Sequence, residues 1–430
     1  MKLAILIPLF DGMIPIIFKD INSVPIGMPA VYKFHELLKK KAEKVLVINI
    51  LDGHSRLLPQ DKNEWKRRSY IKKGNIDYIQ LFIEYKGIFK WMYRNIPNSK
   101  IFGAYRVSKF YFMIKKHIKE FNPDFLYTTT MFGFIGGILS WRFKIPSLLR
   151  GYGTLLGTCM NPGNPYSFKY FLKNFLEMYP YKMFRNILMT NDGTKGDNIA
   201  KSMKVPPSNL HFWLNGIDKS IVNKKLDFEK FKGKYNLPNN KKIIATVSRI
   251  DDWKRLDRIV NAMPQIVKQN HNVILVIGGD GQLFEQIKAL VRNLNIQKNV
   301  FILGSLSHEE AITLISGADI FVSLYDVSNL CNPVLEALLL GKCVISLDDG
   351  SLKDIIIHDY NGILLNPTEL NGKLSNAILS TLKDVNKIQR LGSAAREKAL
   401  KELDTWDERL YKEIQLIKNI IKKNEYARLF

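Results

Sequence analysis

Between residues 242 and 365 the chain alternates short apolar, β-branched runs with stretches of helical spacing. The runs are IIATVS (243–248), NVILVIGG (272–279), NVFILG (299–304), DIFVSL (319–324), KCVISL (342–347) and GILL (362–365). A strand with one wet face alternates apolar and polar residues. A run that is apolar throughout needs cover on both faces. Between the runs, Leu256, Ile259, Val260, Met263, Ile266 and Val267 mark one helix face, and Leu283, Ile287, Leu290, Val291 and Leu294 mark another. This pattern predicts a parallel sheet sandwiched between helices, a doubly wound α/β domain.

The first half repeats the scheme less cleanly. Its predicted strands are KLAILIPL (2–9), KVLVINI (44–50), DYIQLFI (77–83), DFLYTT (124–129), PSLLR (146–150), NILMT (186–190) and LHFWLN (210–215). A chain of 430 residues exceeds one compact core, so two domains are expected. Asn215-Gly216 makes a turn before a Lys-rich stretch, which sets the expected domains at 1–215 and 216–404.

Charge is unevenly spread. Residues 1–220 hold 34 Lys+Arg against 15 Asp+Glu, and residues 221–430 hold 30 against 25. A field of that sign attracts nucleic acid, anionic lipid or phosphorylated substrate. Cys159, Cys331 and Cys343 have no metal-type spacing and cannot all pair, which favours a reducing compartment. MKLAILIPLF ends at Asp11 without a small-residue cleavage site and reads as a first strand, not a signal peptide. No apolar stretch approaches the ~20 residues of a spanning helix. The expected location is cytoplasmic.

Four stretches bear on chemistry. In SRIDDWKR (248–255), Arg249 and Lys254 stand where a buried strand turns into a helix. They are either solvated surface or an anion clamp at the carboxyl edge of the sheet, where helix N-termini also favour anions. Gly27 lies between the first strand and a helix, as a turn residue or as a point of close ligand approach. Gly278, Gly279 and Gly281 form a strand-to-helix turn that is neither G-x-G-x-x-G nor a P-loop. They serve a tight turn or a nucleotide laid on the backbone. In SNLCNPVLEALLLGKCVI (328–345), Glu336 sits early in a helix that ends at Gly341. It is a surface acid favoured by the helix dipole or a group for adjacent sugar hydroxyls.

Taken in order, these stretches resemble the second domain of retaining glycosyltransferases of the GT-B fold, family 4. The family pattern runs G-R-x4-K-G, then G-x-G, then E-x7-E-A-x3-G-x-P-V-I. Here it is matched by 248–255, by GGDG (278–281) and by 328–345, with Asn215-Gly216-Ile217-Asp218 resembling the hinge and Asn361-Gly362 a turn before the closing strand. WDERLYKEI (406–414) resembles the terminal helix that crosses back, which would pack 405–430 on the first domain.

The resemblance implies a two-domain Rossmann-like enzyme moving a sugar from a nucleoside diphosphate sugar, UDP- or GDP-linked, to a glycan or lipid-linked acceptor with retention. Such enzymes make cell-surface polysaccharide, lipopolysaccharide or glycolipid. Arg249 and Lys254 would hold the diphosphate without a metal and with no other cofactor. Glu336 would bind the ribose, and backbone amides around Asn332 and Val334 would meet phosphates and sugar. Gly27 and Gly279 would also lie on the donor. The sequence departs at Ser328, where the family has its first acid, so that contact is lost or passes to Asn329. Pro333 offers no N–H. Arg255 replaces a glycine, and no first-domain His is evident. Arg150 or Tyr152, in LLRGYGT, would line the acceptor side. A degenerate nucleotide- or partner-binding protein and a sugar-nucleotide epimerase are the alternative readings.

YKGIFKWMYRNI (85–96), YRVSKFYFMIKKHIK (105–119) and YSFKYFLKNFLEMYPYKMFR (166–185) interleave cations with aromatic rings. These are either amphipathic helices on the first sheet or a surface for an anionic membrane. No nucleic-acid module appears, so nucleic acid is not expected as a partner. The membrane reading places the protein peripherally at the inner face.

Overall fold

The computed structural model describes residues 1–8, 17, 29–52, 69–83, 85–95, 100–370 and 372–429. Gly27 lies outside the described residues. Among them, the first sheet holds β1 (Lys2–Leu6), β2 (Lys44–Asp52), β3 (Tyr70–Lys73), β4 (Ile76–Ile83), β5 (Phe125–Thr129), β6 (Ser147–Gly151), β7 (Ile187–Thr190) and β8 (Leu210–Trp213). The second holds β9 (Lys242–Val247), β10 (Val273–Gly278), β11 (Val300–Ile302), β12 (Ile320–Ser323), β13 (Cys343–Leu347) and β14 (Ile363–Leu365).

The orders are β3-β4-β2-β1-β5-β6-β7-β8 and β11-β10-β9-β12-β13-β14. Every pairing is parallel except β3 with β4. In the second sheet the chain winds outward from β9 to β11, then crosses back to β12 on the other side of β9. In the first it winds from β1 to β4 and returns to β5 beside β1. Each sheet thus has one switch point, at β9/β12 and at β1/β5. Ligands bind at such points because the flanking loops diverge and leave a crevice outside the strand ends.

The apolar runs fold as their composition dictates. Ile243, Ala245, Ile274 and Val276 face one core of the second domain, while Ile244, Leu275 and Ile277 face the other. In the first sheet Leu3 and Ile5 face one way, and Ala4 and Leu6 the other. The edge strand β3 is the element absent from the sequence reading. Tyr-Ile-Lys-Lys carries no apolar run, and its hairpin depends on Gly74 at φ +62°, a left-handed turn suited to glycine.

The C-terminal helix Trp406–Leu429 returns to the first domain. Trp406, Leu410, Ile414, Ile417 and Ile420 pack among Leu3, Val31 and Phe34. Where the two connections pass between domains they pair: the Ile217 amide donates to Asp404 O at 3.0 Å and the Trp406 amide to Ile217 O at 3.2 Å. A Cβ on Gly216 would meet Trp406 Cα at 2.6 Å, so this crossing excludes a side chain there. The architecture is the GT-B arrangement of two Rossmann-like domains.

Candidate functional site

The two switch points face each other across one cavity of about 1090 Å³. Pro8, Thr130 and Met131 enter it from the ends of β1 and β5, and Arg249, Trp253 and Ser328 from the loops after β9 and β12. Tyr152, Gly153 and Thr154 follow β6, and Asp192 and Thr194 follow β7. The parallel topology therefore delivers loops from both domains to a shared cleft.

The second-domain wall is braced from below. A Cβ on Gly279, at φ +141°, would fall 1.8 Å from Ser248 O, and one on Gly281 would meet the backbone of Ile250 at 2.6 Å. The glycine turn is thus required so that the chain after β10 can lie against the 248–250 turn. The Ser248 amide donates to Gly278 O at 3.0 Å, and the Ile250 amide to Asp280 O at 2.9 Å. Gly279 supports the loop carrying Arg249.

Arg249 and Lys254 converge on one indole. The Arg249 guanidinium lies 5.7 Å from the Trp253 ring centre and pairs with Asp251 at 3.3 Å. The Lys254 ammonium lies 4.1 Å from the same ring and 3.8 Å from that of Tyr325. Cations over aromatic faces are held by the ring quadrupole, more strongly when water is excluded. Their settings differ: the Arg249 side chain is 71% exposed, whereas Lys254 is 8% exposed. Burial pushes the Lys254 pKa down and Arg249 adds to this, against Cys331, Asp192 and Asp251. An arriving polyanion would relieve that burial cost.

Arg255 turns away. It adopts φ +49°, the left-handed backbone where the resembling family has glycine, and its guanidinium grips Asp257 at 2.9 Å and Asp326 at 3.1 Å. Those bonds offset the strain. The extra cation is a brace for the helix start, not part of the cleft wall.

The 325–336 stretch corrects several sequence expectations. Asn329 does not replace the missing acid: it is fully buried, its amide donates to Tyr325 O at 2.7 Å and to Asp349 at 3.1 Å, and its Oδ1 accepts from the Tyr325 amide. A loop that must close on itself consumes the group. The Val334 amide already donates to Cys331 O at 3.1 Å, and its side chain is core. Asn332 accepts from the Asn215 side chain at 3.2 Å, tying the helix start to the hinge. Ser328, at φ +65°, does line the cavity. Glu336 pairs with His308 at 2.8 Å; that hydrogen bond raises the His308 pKa. Burial raises the pKa of first-domain Tyr32, and Glu336 adds to the rise.

Arg150 is likewise corrected. It is 1% exposed, and its guanidinium bonds Thr190 at 2.9 Å, the Gly151 carbonyl, and Glu413 of the returning helix at 3.4 Å. A buried guanidinium needs such partners, so Arg150 is not available to an acceptor. Tyr152 stays at the cavity, with Arg150 4.1 Å from its ring centre and Tyr127 at 3.3 Å from its hydroxyl.

Asp192 and Trp253 were missed by the sequence reading. Asp192 accepts from the Thr194 amide at 3.0 Å and hydroxyl at 2.6 Å. Burial raises its pKa, against those bonds and Lys254. The signal was present: Asn-Asp-Gly directly after an apolar strand puts an acid at the ligand edge. A Cβ on Gly193 would meet the amides of Asn329 and Leu330 at 2.9 Å, so only glycine lets the domains touch there.

Residues 227–398 match the family described as "Glycosyl transferases group 1". The N-acetyl-alpha-D-glucosaminyl L-malate synthase of Bacillus anthracis is 28% identical over 200 residues, 46% of this chain and 51% of that protein. The alpha-monoglucosyldiacylglycerol synthase of Streptococcus pneumoniae is 24% identical over 280 residues, 61% and 60% of the two chains. The matches thus span about half to three-fifths of these relatives' length. The crystal structure of Anabaena HepE in complex with UDP superposes with a TM-score of 0.67 at 17% identity, over 98% of this chain and 100% of that one. The chain therefore has the GT-B fold, and its residues 227–398 match the glycosyl transferases group 1 family.

Proposed function

We propose that the chain is a retaining, metal-independent glycosyltransferase that moves a sugar from a nucleoside diphosphate sugar to a glycan or lipid-linked acceptor. The observation that carries this reading is the pair of cations on Trp253: Arg249 and Trp253 line the cavity between the two switch points, and the buried Lys254 lies on the same ring. Lys254 and Arg249 would hold the diphosphate. As the anomeric C–O bond breaks, negative charge grows on the leaving phosphate, and two fixed cations stabilise it without reorganising. The acceptor oxygen bonds the same face of the anomeric carbon, and its proton passes to the departing phosphate oxygen. Glu336 would accept hydrogen bonds from the ribose hydroxyls beside His308. UDP is the first nucleotide to try, because the solved HepE complex holds it.

A place at the inner face of an anionic membrane suits the basic first half and the relative named for a diacylglycerol glycolipid. No helix among the described residues is long and apolar enough to cross a membrane. The degenerate reading draws on Ser328 in place of an acid and on Pro333, which offers no N–H. Titration calorimetry with UDP, GDP and their sugars decides between these. Micromolar binding followed by slow donor hydrolysis is expected. Absence of any nucleotide binding removes the transferase, and tight binding without hydrolysis or transfer selects the degenerate protein.

A further inference from the structure

The cleft cavity is not only a nucleotide-sized crevice. On the first-domain side the cavity has a wall of Val107, Phe110, Phe132, Phe134, Ile135 and Tyr181, interrupted by Arg106 and Glu177; this largely apolar part is its arm. Drug-sized ligands occupy pockets of roughly 300–1,000 Å³, so a cavity of about 1090 Å³ has room beyond one sugar. Apolar walls repel a hydroxylated glycan, because sugar hydroxyls there would lose water without gaining partners.

The arm opens where its lining becomes surface. Met131 is 71% exposed, and Leu155 and Leu176 are also both lining and exposed. From Phe134 in the wall, a ladder of rings runs outward. Phe134 lies 5.8 Å from Phe175 and 6.2 Å from Tyr179, Phe175 lies 5.5 Å from Phe171, and Phe171 lies 6.4 Å from Phe168, which is 73% exposed. Trp141, on the same helix as Phe134, is 79% exposed. The segment 141–185 that carries most of this apron of rings also holds the exposed cations Arg142, Lys144, Lys169, Lys173, Lys182 and Arg185, against one acid, Glu177. Apolar rings flanked by cations complement an anionic lipid surface.

We infer that the acceptor carries an apolar tail, drawn from an anionic bilayer across the apron at Met131 and seated in the Val107–Phe110–Ile135 arm. Its hydroxyl then stands beside Tyr152 and Asp192, facing the donor side of the cleft. This rests on the transferase reading and narrows its acceptor from glycan or lipid to lipid. The apolar arm acts as a ruler: it takes the chain and leaves the polar head at the reacting end.

Two amphiphiles test the arm. Each methylene moved from water into apolar surroundings tightens binding about fourfold. Monomeric dodecyl maltoside should therefore bind wild type at least about tenfold more tightly than octyl maltoside, by calorimetry below the critical micelle concentrations. Val107→Trp, which fills the arm, and Met131→Asp, a change at an exposed site that leaves folding intact, should each abolish that preference. Both variants should still bind UDP, which shows that the cleft has kept its fold. Equal binding of the two chain lengths by wild type, or a preference that survives in both variants, overturns the inference while UDP binding keeps the transferase standing. Absence of both UDP and GDP binding by wild type instead removes the transferase. Vesicles of dioleoylphosphatidylglycerol, but not dioleoylphosphatidylcholine, should sediment the wild type and not Phe168→Asp. A chain-length preference without vesicle binding overturns the bilayer as the source of the tail.

Discussion

The two walls of the cleft use the same residue types in opposite ways. On the second-domain wall, Arg249 lies exposed at the cavity and the buried Lys254 shares its aromatic face, with Asp251, among the described residues, the one carboxylate at ion-pair distance from Arg249. Behind the first-domain wall, Arg150 and Arg409 share Glu413, which also accepts from the Tyr127 hydroxyl at 2.5 Å. Burial pushes the Glu413 carboxyl up, but Arg150 and Arg409 outweigh it and hold it below the usual carboxylate range. Charge facing the cleft is left for a ligand. Charge in the core is neutralised on the spot, and here it fastens the returning helix to the sheet. The difference is one of burial and partners, not of residue type.

The sharpest way to break this contrast is Glu413→Ala. It leaves two guanidinium groups buried without their carboxylate and should cost about 3–5 kcal/mol of stability in urea melts. A loss under ~1 kcal/mol would mean that the network is not structural. His35 sharpens the same point. Burial, aided by Lys39, depresses its pKa from 6.5 to about 4. As pH falls from 6.5 the unfolded chain takes the proton first, so stability declines down to about pH 4. The expected loss over that window is about 3 kcal/mol, absent in His35→Leu. Identical acid profiles for the two proteins would sink it. The smallest effect belongs to the second-domain wall: Lys254→Ala should weaken nucleoside diphosphate binding by about 1.5–3 kcal/mol, roughly 10- to 150-fold. Asp257→Ala, whose partner Arg255 faces away from the cleft, should change affinity by under ~0.5 kcal/mol. Equal affinity of Lys254→Ala and wild type would remove the clamp.

Much of the scaffold was legible because burial writes itself into composition. Strands apolar on both faces, such as 273–278 and 320–323, can belong only to a covered sheet. The edge strand 70–73 left no such trace, since it has one neighbour and a wet flank. Arg249 and Lys254 were legible as cations between a strand and a helix, and the structure sets both on the Trp253 ring. Asn329 and Arg150 were misread, because a polar residue in a loop has the same appearance whether it faces a ligand or closes its own turn. Which of the two it does depends on atoms remote in sequence: Asp349 for Asn329, Glu413 for Arg150.

By itself the sequence determined the alternation of strands and helices, the positive balance of the first half, and the cations, acid and glycines at strand ends. Those follow from local periodicity and residue chemistry. Only the tertiary structure decided which charges stay exposed, that Asp192 of one domain lies within electrostatic reach of Lys254 of the other, and that apolar first-domain residues such as Val107 and Phe110 line the cleft. These are outcomes of packing between segments far apart in the chain, where geometry chooses the partner and the partner sets the role.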